Sequence, residues 1–335
     1  MIKVLGIETS CDETSASIVT NEKQILSNIV LSQYEQHQIY GGVVPEIAAR
    51  EHISHLDKVI AKSLEQAQCK LDNIDAIAVT AGPGLIGGVI VGVMQAKAMA
   101  AALNKPIIAV NHLEAHALTA RLTDNINFPF LLLLLSGGHC QILAVKGVGD
   151  YELIGQTIDD ALGEAYDKLA KMLGLGLPGG PKVEQLAKQG DANKYNLPKP
   201  LLKTGDKFNF SFSGLKTAVK HIVDANPDDP HNICASFEAT IIEVLKNRTN
   251  NAIRHFKSKY NGNQIVIAGG VAANQAIKSS LTELANTNDM DLITPPIKLC
   301  TDNAAMIAWA GVEKYKLGQF DSLDFKPRAR WPLCG

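Results

Sequence analysis

No two cysteines of this chain stand close enough to share a metal or a short disulfide loop. The six, Cys11, Cys69, Cys140, Cys234, Cys300 and Cys334, are scattered without a CxxC pair, which excludes a zinc knuckle and a disulfide framework and fits a reducing compartment. A surplus of either charge is also missing. With 32 basic and 34 acidic side chains, nothing global marks a nucleic-acid binder, so any surface for phosphates has to be local. No apolar run reaches membrane-spanning length, and Met1 leads directly into an apolar strand without a basic leader or cleavage site. A cytoplasmic protein with no membrane partner is expected. What is present is ordinary: 46% apolar and 20% charged residues over a chain of 335, which excludes extended disorder and is long enough for two domains with separate cores.

The patterning predicts a plan that runs twice. Residues 2–8 read as a buried strand, 9–14 as a polar turn, and 15–20 and 24–32 as two further strands. Pro45 then opens a long amphipathic helix. A strand at 74–80, the turn Ala81-Gly82-Pro83-Gly84, an apolar helix at 86–103 and a short strand at 107–110 lead into a helix carrying two histidines. From Phe130 the order recurs: strand, tight turn, two strands, several helices, the strand 264–267, a helix from Asn274, the strand 292–294 and a helix over 301–316. The expectation is an α/β protein of two duplicated mixed-sheet lobes, 1–128 and 129–335, with a cleft between them. The second copy holds an insertion at about 175–230. The order of elements carries this reading, because the halves share little residue identity.

Chemistry concentrates at His112-Leu113-Glu114-Ala115-His116. Asn111 is placed to cap this helix, and histidines four apart share one face, an arrangement that suits a divalent metal. Glu114 falls roughly 200° around the helix from His112, so it cannot serve as the general base that a zincin places after its first histidine. Asp302 stands near the start of the last helix, where it either caps or completes a two-histidine, one-carboxylate set suited to iron(II) or zinc. Spacing does not single it out from the other carboxylates. Three small-residue turns, 9–14, 136–139 and 268–274, each follow a strand and could present backbone N–H groups to an anion, so a nucleotide is expected in the cleft. Six lysines, Lys194, Lys199, Lys203, Lys207, Lys216 and Lys220, interleave with Tyr195, Phe208, Phe210 and Phe212. That insertion reads either as an RNA-gripping surface or as a solvated loop with its aromatics tucked under. The tail Lys326, Arg328, Arg330 beside Trp331 is a smaller basic cluster with the same two readings.

Taken in order, GIETSCDET (6–14), GGVVP (41–45), AGPGL (81–85), SGGH (136–139), GEAYDK (163–168), PGGP (178–181), SFSGLKT (211–217), AGGVAAN (268–274) and CTDN (300–303) resemble the universal tRNA threonylcarbamoyladenosine transferase family. The resemblance implies the actin-like fold of sugar kinases, Hsp70 and actin, related to ribonuclease H. It implies transfer of a threonylcarbamoyl group from threonylcarbamoyl-adenylate to N6 of adenosine 37 in tRNAs that read codons beginning with adenine, with release of AMP. It also implies His112, His116 and Asp302 as metal ligands, iron(II) first with zinc or magnesium as alternatives. Leu134, Leu135, Ser136, Gly137, Gly138, Asp167, Gly180, Glu184 and Asn274 would contact the acyl-adenylate. Implied partners are tRNA, a synthase that makes the acyl-adenylate, a shorter paralogue forming a heterodimer and a small ATPase. For the general base, His139, Asp12 and Glu13 are candidates by position. Three competing classes are a small-molecule kinase of the same fold, an endopeptidase and a nucleotide-binding scaffold. The histidine pair speaks against the kinase, because kinases hold magnesium through carboxylates and phosphates.

Overall fold

A computed structural model describes residues 1–202 and 205–334. From the N-terminus, β1 (Lys3–Glu8), β2 (Glu13–Thr20) and β3 (Ile25–Ser32) form an antiparallel meander, followed by the short α1 (Tyr34–Gln38). Then come α2 (Pro45–Gln66), β4 (Ala76–Gly82), α3 (Ile86–Leu103), β5 (Ile107–Asn111) and α4 (His112–Thr123). Pro45 takes the first turn of α2, where its missing N–H costs nothing. These strands make one sheet in the order β3-β2-β1-β4-β5, with β4 parallel to both β1 and β5.

The plan then repeats with β6 (Phe130–Leu135), β7 (Cys140–Gly147), β8 (Asp150–Gln156), α5 (Leu162–Met172), α6 (Gly179–Ala187), α7 (Ser213–Ala225) and α8 (Pro230–Lys259). It closes with β9 (Gln264–Ala268), α9 (Gln275–Thr287), β10 (Asp291–Ile293), α10 (Ile297–Cys300) and α11 (Ala304–Lys316). The second sheet runs β8-β7-β6-β9-β10, the same topology as the first. Its central strand β6 is the unbroken apolar run FLLLLL, buried throughout, as a strand covered on both faces requires.

The boundaries differ from the expected 1–128 and 129–335. One compact unit comprises residues 1–125 with 301–335, and the other comprises 126–300. The reason lies in α11, where every residue from Ala304 to Glu313 is buried. A helix apolar all round must be covered on all sides, and α11 is covered by the first sheet and by α4. Glycine makes the approach possible. A Cβ at Gly6 would stand 2.4 Å from the Ala304 carbonyl oxygen, and one at Gly311 would stand 2.5 Å from Ala78 Cβ.

Four further expectations change or narrow. The turn after β1 is shorter than 9–14, because Glu13 and Thr14 already pair with β3. Asn303 rather than Asp302 caps α11, its Oδ1 accepting from Met306 N at 3.2 Å, so the aspartate is left for other work. In the 175–230 insertion two of the aromatics are tucked under, Phe210 and Phe212 being fully buried in the second core, and Lys199, Lys216 and Lys220 pair with Glu243, Asp160 and Asp224. Lys203 lies outside the described residues. Finally, the 18-residue α3 is long and apolar enough to cross a bilayer, contrary to the sequence reading. Its Gly88, Val89, Gly92, Val93, Ala96 and Ala100 pack inward, while Ile86, Ile90 and Met94 stay exposed on the opposite face.

Candidate functional site

The two histidines owe their position to a cap. Asn111 Oδ1 accepts from the N–H groups of Leu113 and Glu114 at 2.9 and 3.4 Å, starting α4 immediately before His112. One turn apart, the rings of His112 and His116 meet edge to face with centroids 4.8 Å apart. The loop before α11 brings Asp302 against them, its Oδ1 3.4 Å from His112 Nε2 and 3.2 Å from His116 Nε2. All three donor atoms lie within 4.8 Å of one another. Bonds of about 2.1 Å to one tetrahedral cation would separate the donors by about 3.4 Å, which the two distances from Asp302 to the histidine nitrogens match. Both histidines are buried, with His116 only 2% exposed.

Behind this triangle stands Glu8, fully buried at the end of β1. Its Oε2 lies 2.9 Å from His112 Nδ1 and accepts from Thr80 Oγ1 at 2.6 Å, while Oε1 accepts from Ser10 N at 2.5 Å. A carboxylate there holds the proton on Nδ1, so that Nε2, the nitrogen facing Asp302, is the one left to a metal. Burial works to lower the His112 pKa, but the Asp302 and Glu8 carboxylates outweigh it and raise it well above the ordinary histidine value. For Asp302 burial acts upward, and His112 and His116 override it, holding the carboxyl far below the usual range. Such a cluster of anion and imidazolium is poised to exchange its proton for a metal cation.

Glu114 is buried on the other side of α4, with Oε2 2.9 Å from Lys314 Nζ. That ion pair occupies it, so Glu114 is not a base for the histidine pair. The chain's first unit also places two of the three general-base candidates, Asp12 and Glu13, next to this cluster. Burial first, and then the charges of Asp302 and Asp12, raise the Glu13 carboxyl well above its ordinary value. Neighbouring Cys11 is pushed up by burial and Asp12, so it is a thiol and no nucleophile.

The remaining expected residues gather in the second unit. Leu134 and Leu135 are fully buried at the end of β6, so only their backbone can meet a ligand. The following turn closes through Ser136 N to the His139 carbonyl at 2.8 Å and His139 N to Ser136 Oγ at 3.0 Å. Across it, Gly269 adopts φ +92°, and a Cβ there would stand 2.4 Å from the Leu135 carbonyl oxygen. Gly137, Gly138 and Gly180 are different, because a Cβ at any of them would meet nothing within 4 Å. Packing within the protein does not demand glycine at these three positions, whereas close approach of a ligand to the backbone would.

Asp167 Oδ1 accepts from Gly179 N at 2.8 Å at the start of α6, and burial raises its carboxyl. Glu184, one turn along α6, accepts from Gln275 N at 3.1 Å. Asn274 caps α9 through Oδ1 to Ile277 N at 2.8 Å and donates its amide to Glu238 Oε1 at 2.8 Å. Glu238 was missed in the sequence, as was Glu8. Each had a signal: Glu8 ends an apolar strand, and Glu238 falls on the same face of α8 as the buried Cys234 and Ile241.

The sequence model of a family described as TsaD: tRNA N6-adenosine threonylcarbamoyltransferase matches residues 24–309. A protein of Rickettsia rickettsii bearing the name tRNA N6-adenosine threonylcarbamoyltransferase is 55% identical, covering 99% of this chain and 98% of its own. One of the same name from Brucella anthropi is 54% identical, covering 99% and 95%. Among solved structures, component A of the Acidaminococcus fermentans (R)-2-hydroxyglutaryl-CoA dehydratase superposes with a TM-score of 0.54 at 13% identity, over 94% of this chain and 100% of that one. A ROK hexokinase from Thermus thermophilus gives 0.53 at 15%, over 95% and 99%. Those two likenesses concern the fold, a duplicated α/β architecture of the actin-like class.

Proposed function

Since the chain belongs to the tRNA N6-adenosine threonylcarbamoyltransferase family, we infer that it transfers a threonylcarbamoyl group to N6 of an adenosine in tRNA. The donor in this reading is threonylcarbamoyl-adenylate and the target is adenosine 37 of tRNAs that read codons beginning with adenine. The new N6–C bond forms as the bond between the carbonyl carbon and the phosphate oxygen breaks, AMP departs, and N6 gives up a proton. The observation that carries the reading is the buried two-histidine, one-carboxylate triangle with Glu8 behind it.

His112, His116 and Asp302 are the groups that would hold the cation, with iron(II) favoured by two imidazoles and one carboxylate and zinc or magnesium as alternatives. When bound, such a cation supplies Lewis-acid stabilisation to an oxygen of the donor. Backbone N–H groups of the 136–138 turn are suited to developing negative charge. Asp167, Glu184 and Asn274, with the open backbone at Gly180, are suited to the hydroxyl groups and base of the adenylate. The base candidates remain Asp12, Glu13 and His139; of these, burial and the neighbouring Asp302 and Asp12 charges raise the Glu13 carboxyl above its ordinary value. The partners in this reading are a synthase that makes the donor, a small ATPase, and a shorter paralogue docking on the exposed Ile86, Ile90 and Met94 face of α3. All six cysteines are free, in keeping with a cytoplasmic setting. No observation favours a kinase or a scaffold.

The test is mass spectrometry of nucleosides from an adenine-codon-reading tRNA after incubation with threonylcarbamoyl-adenylate, this chain and an extract depleted of its own transferase. Threonylcarbamoyladenosine is expected with the native chain and is expected to be lost with His112→Ala, His116→Ala. Product from the double variant would remove the metal triangle from the mechanism. No product from the native chain with competent partners would overturn the transferase reading.

A further inference from the structure

We infer that residues 326–331 form a docking strip for the sugar–phosphate backbone of the tRNA, an inference that rests on tRNA being the substrate. A polyanion needs positive charge at the place where it is held, and the first unit carries more acidic than basic side chains. Several of its cations are already committed: Arg50 to Glu46, Arg121 to Glu313 and Lys314 to Glu114. Lys326 and Arg330 are exposed, and among the described residues neither has an ion pair or hydrogen bond. Three of the insertion lysines, the other basic cluster in the sequence, are paired with carboxylates instead.

The strip is held by its backbone, which leaves those side chains free of structural duty. Arg328 N donates to the Ala81 carbonyl at 2.8 Å, Gly84 N to the Ala329 carbonyl at 3.2 Å, and Asn111 Nδ2 to the Trp331 carbonyl at 3.0 Å. Gly82 makes room, since a Cβ there would stand 2.0 Å from the Arg328 carbonyl oxygen. Asn111 is the cap of α4, one residue before His112. Leu85 N donates to the Ser10 carbonyl at 2.7 Å, and Ser10 Oγ lies 3.2 Å from His112 Nδ1. Three short links thus tie the strip to the wall of the metal triangle. The backbone of the strip is thereby anchored to the residue that caps the histidine helix.

The chemistry favours nucleic acid over an acidic protein surface. Lys326, Arg328 and Arg330 occupy alternate positions, and the Arg328 guanidinium stacks 4.5 Å over the partly exposed Trp331 ring. Trp331 packs against the first core and carries Arg328 on its ring, so the strip presents its cations at alternate positions, a spacing that suits successive phosphates. Contacts to phosphate position a substrate without reading its sequence. The strip therefore orients tRNA and leaves the choice of adenosine to other groups.

The experiment compares tRNA binding by the full-length native chain and Lys326→Ala, Arg330→Ala, using fluorescence anisotropy over a series of salt concentrations. The variant is expected to bind roughly tenfold more weakly at low salt, uniformly across tRNAs, with a plot of log affinity against log salt flatter by about 1.5. Lys326→Glu, Arg330→Glu should bind more weakly still and Lys326→Arg, Arg330→Lys should match the native chain, an ordering by charge that a folding defect would not produce. Native affinity and salt slope in the alanine variant would overturn the inference. So would unchanged tRNA binding with lost association of a protein partner, or a native chain whose tRNA binding ignores salt. Failure of the transferase reading looks different: tRNA bound with native salt dependence and no threonylcarbamoyladenosine formed.

Discussion

Glu8 decides which nitrogen of His112 is offered to a cation. It is a fully buried carboxylate, held by Thr80 and Ser10, that accepts a hydrogen bond from Nδ1 and so keeps that nitrogen protonated, with Nε2 turned to Asp302. Outer carboxylates of this kind typically contribute 10- to 100-fold in metal affinity (about that range). Glu8→Gln keeps the volume and one acceptor but removes the charge, so we expect cobalt(II) or zinc(II) to bind about 10- to 100-fold more weakly. Competition against a chelating dye measures this directly, without reference to turnover. Equal affinity in the two proteins would show that Glu8 serves the fold alone. At this scale the sequence was half legible. His112 and His116 announce themselves because a helix repeats locally and four residues make one turn. Asp302, 186 residues beyond His116, could be taken only from resemblance, since no local rule joins positions so far apart.

Helix α11 shows what one element can decide. Its sequence is apolar on every face, which says that it is buried and not in which unit. Gly311 sits over Ala78 and Gly6 under Ala304, so the helix lies closer to β1 and β4 than larger residues would permit. Gly311→Val would force its side chain against Ala78 and Val4, and overpacking of this kind costs about 1–3 kcal/mol. Chemical denaturation should therefore show a lower midpoint for this variant with an unchanged slope. A midpoint equal to that of the native chain would mean that α11 can shift outward at no cost. The same packing corrects the domain boundary read from the sequence. Residues 301–335 join the first unit because α11 buries its small-residue surface there.

For the whole molecule, two sheets of identical strand order and two separate cores make a duplication visible in topology that residue identity hides. In the proposed reading the exposed face of α3 is where the shorter paralogue docks. Ile90 and Met94 are 42% and 59% exposed, so Ile90→Asp with Met94→Asp should leave stability within about 0.5 kcal/mol of the native chain while abolishing association with the shorter paralogue. Light scattering of the mixed proteins reads this, and an intact heterodimer would place the contact elsewhere. By itself the sequence determined the order of strands and helices, the paired histidines, the glycine turns and the family, because periodicity, capping and motif spacing are properties of neighbours along the chain. Only the tertiary structure decided that Asp302 and Glu8 stand on either side of His112, that the insertion's phenylalanines are core, and that the basic tail is strapped beside the cap of α4. Those are contacts between residues tens to hundreds of positions apart, and they exist only once burial of apolar surface has brought distant segments together.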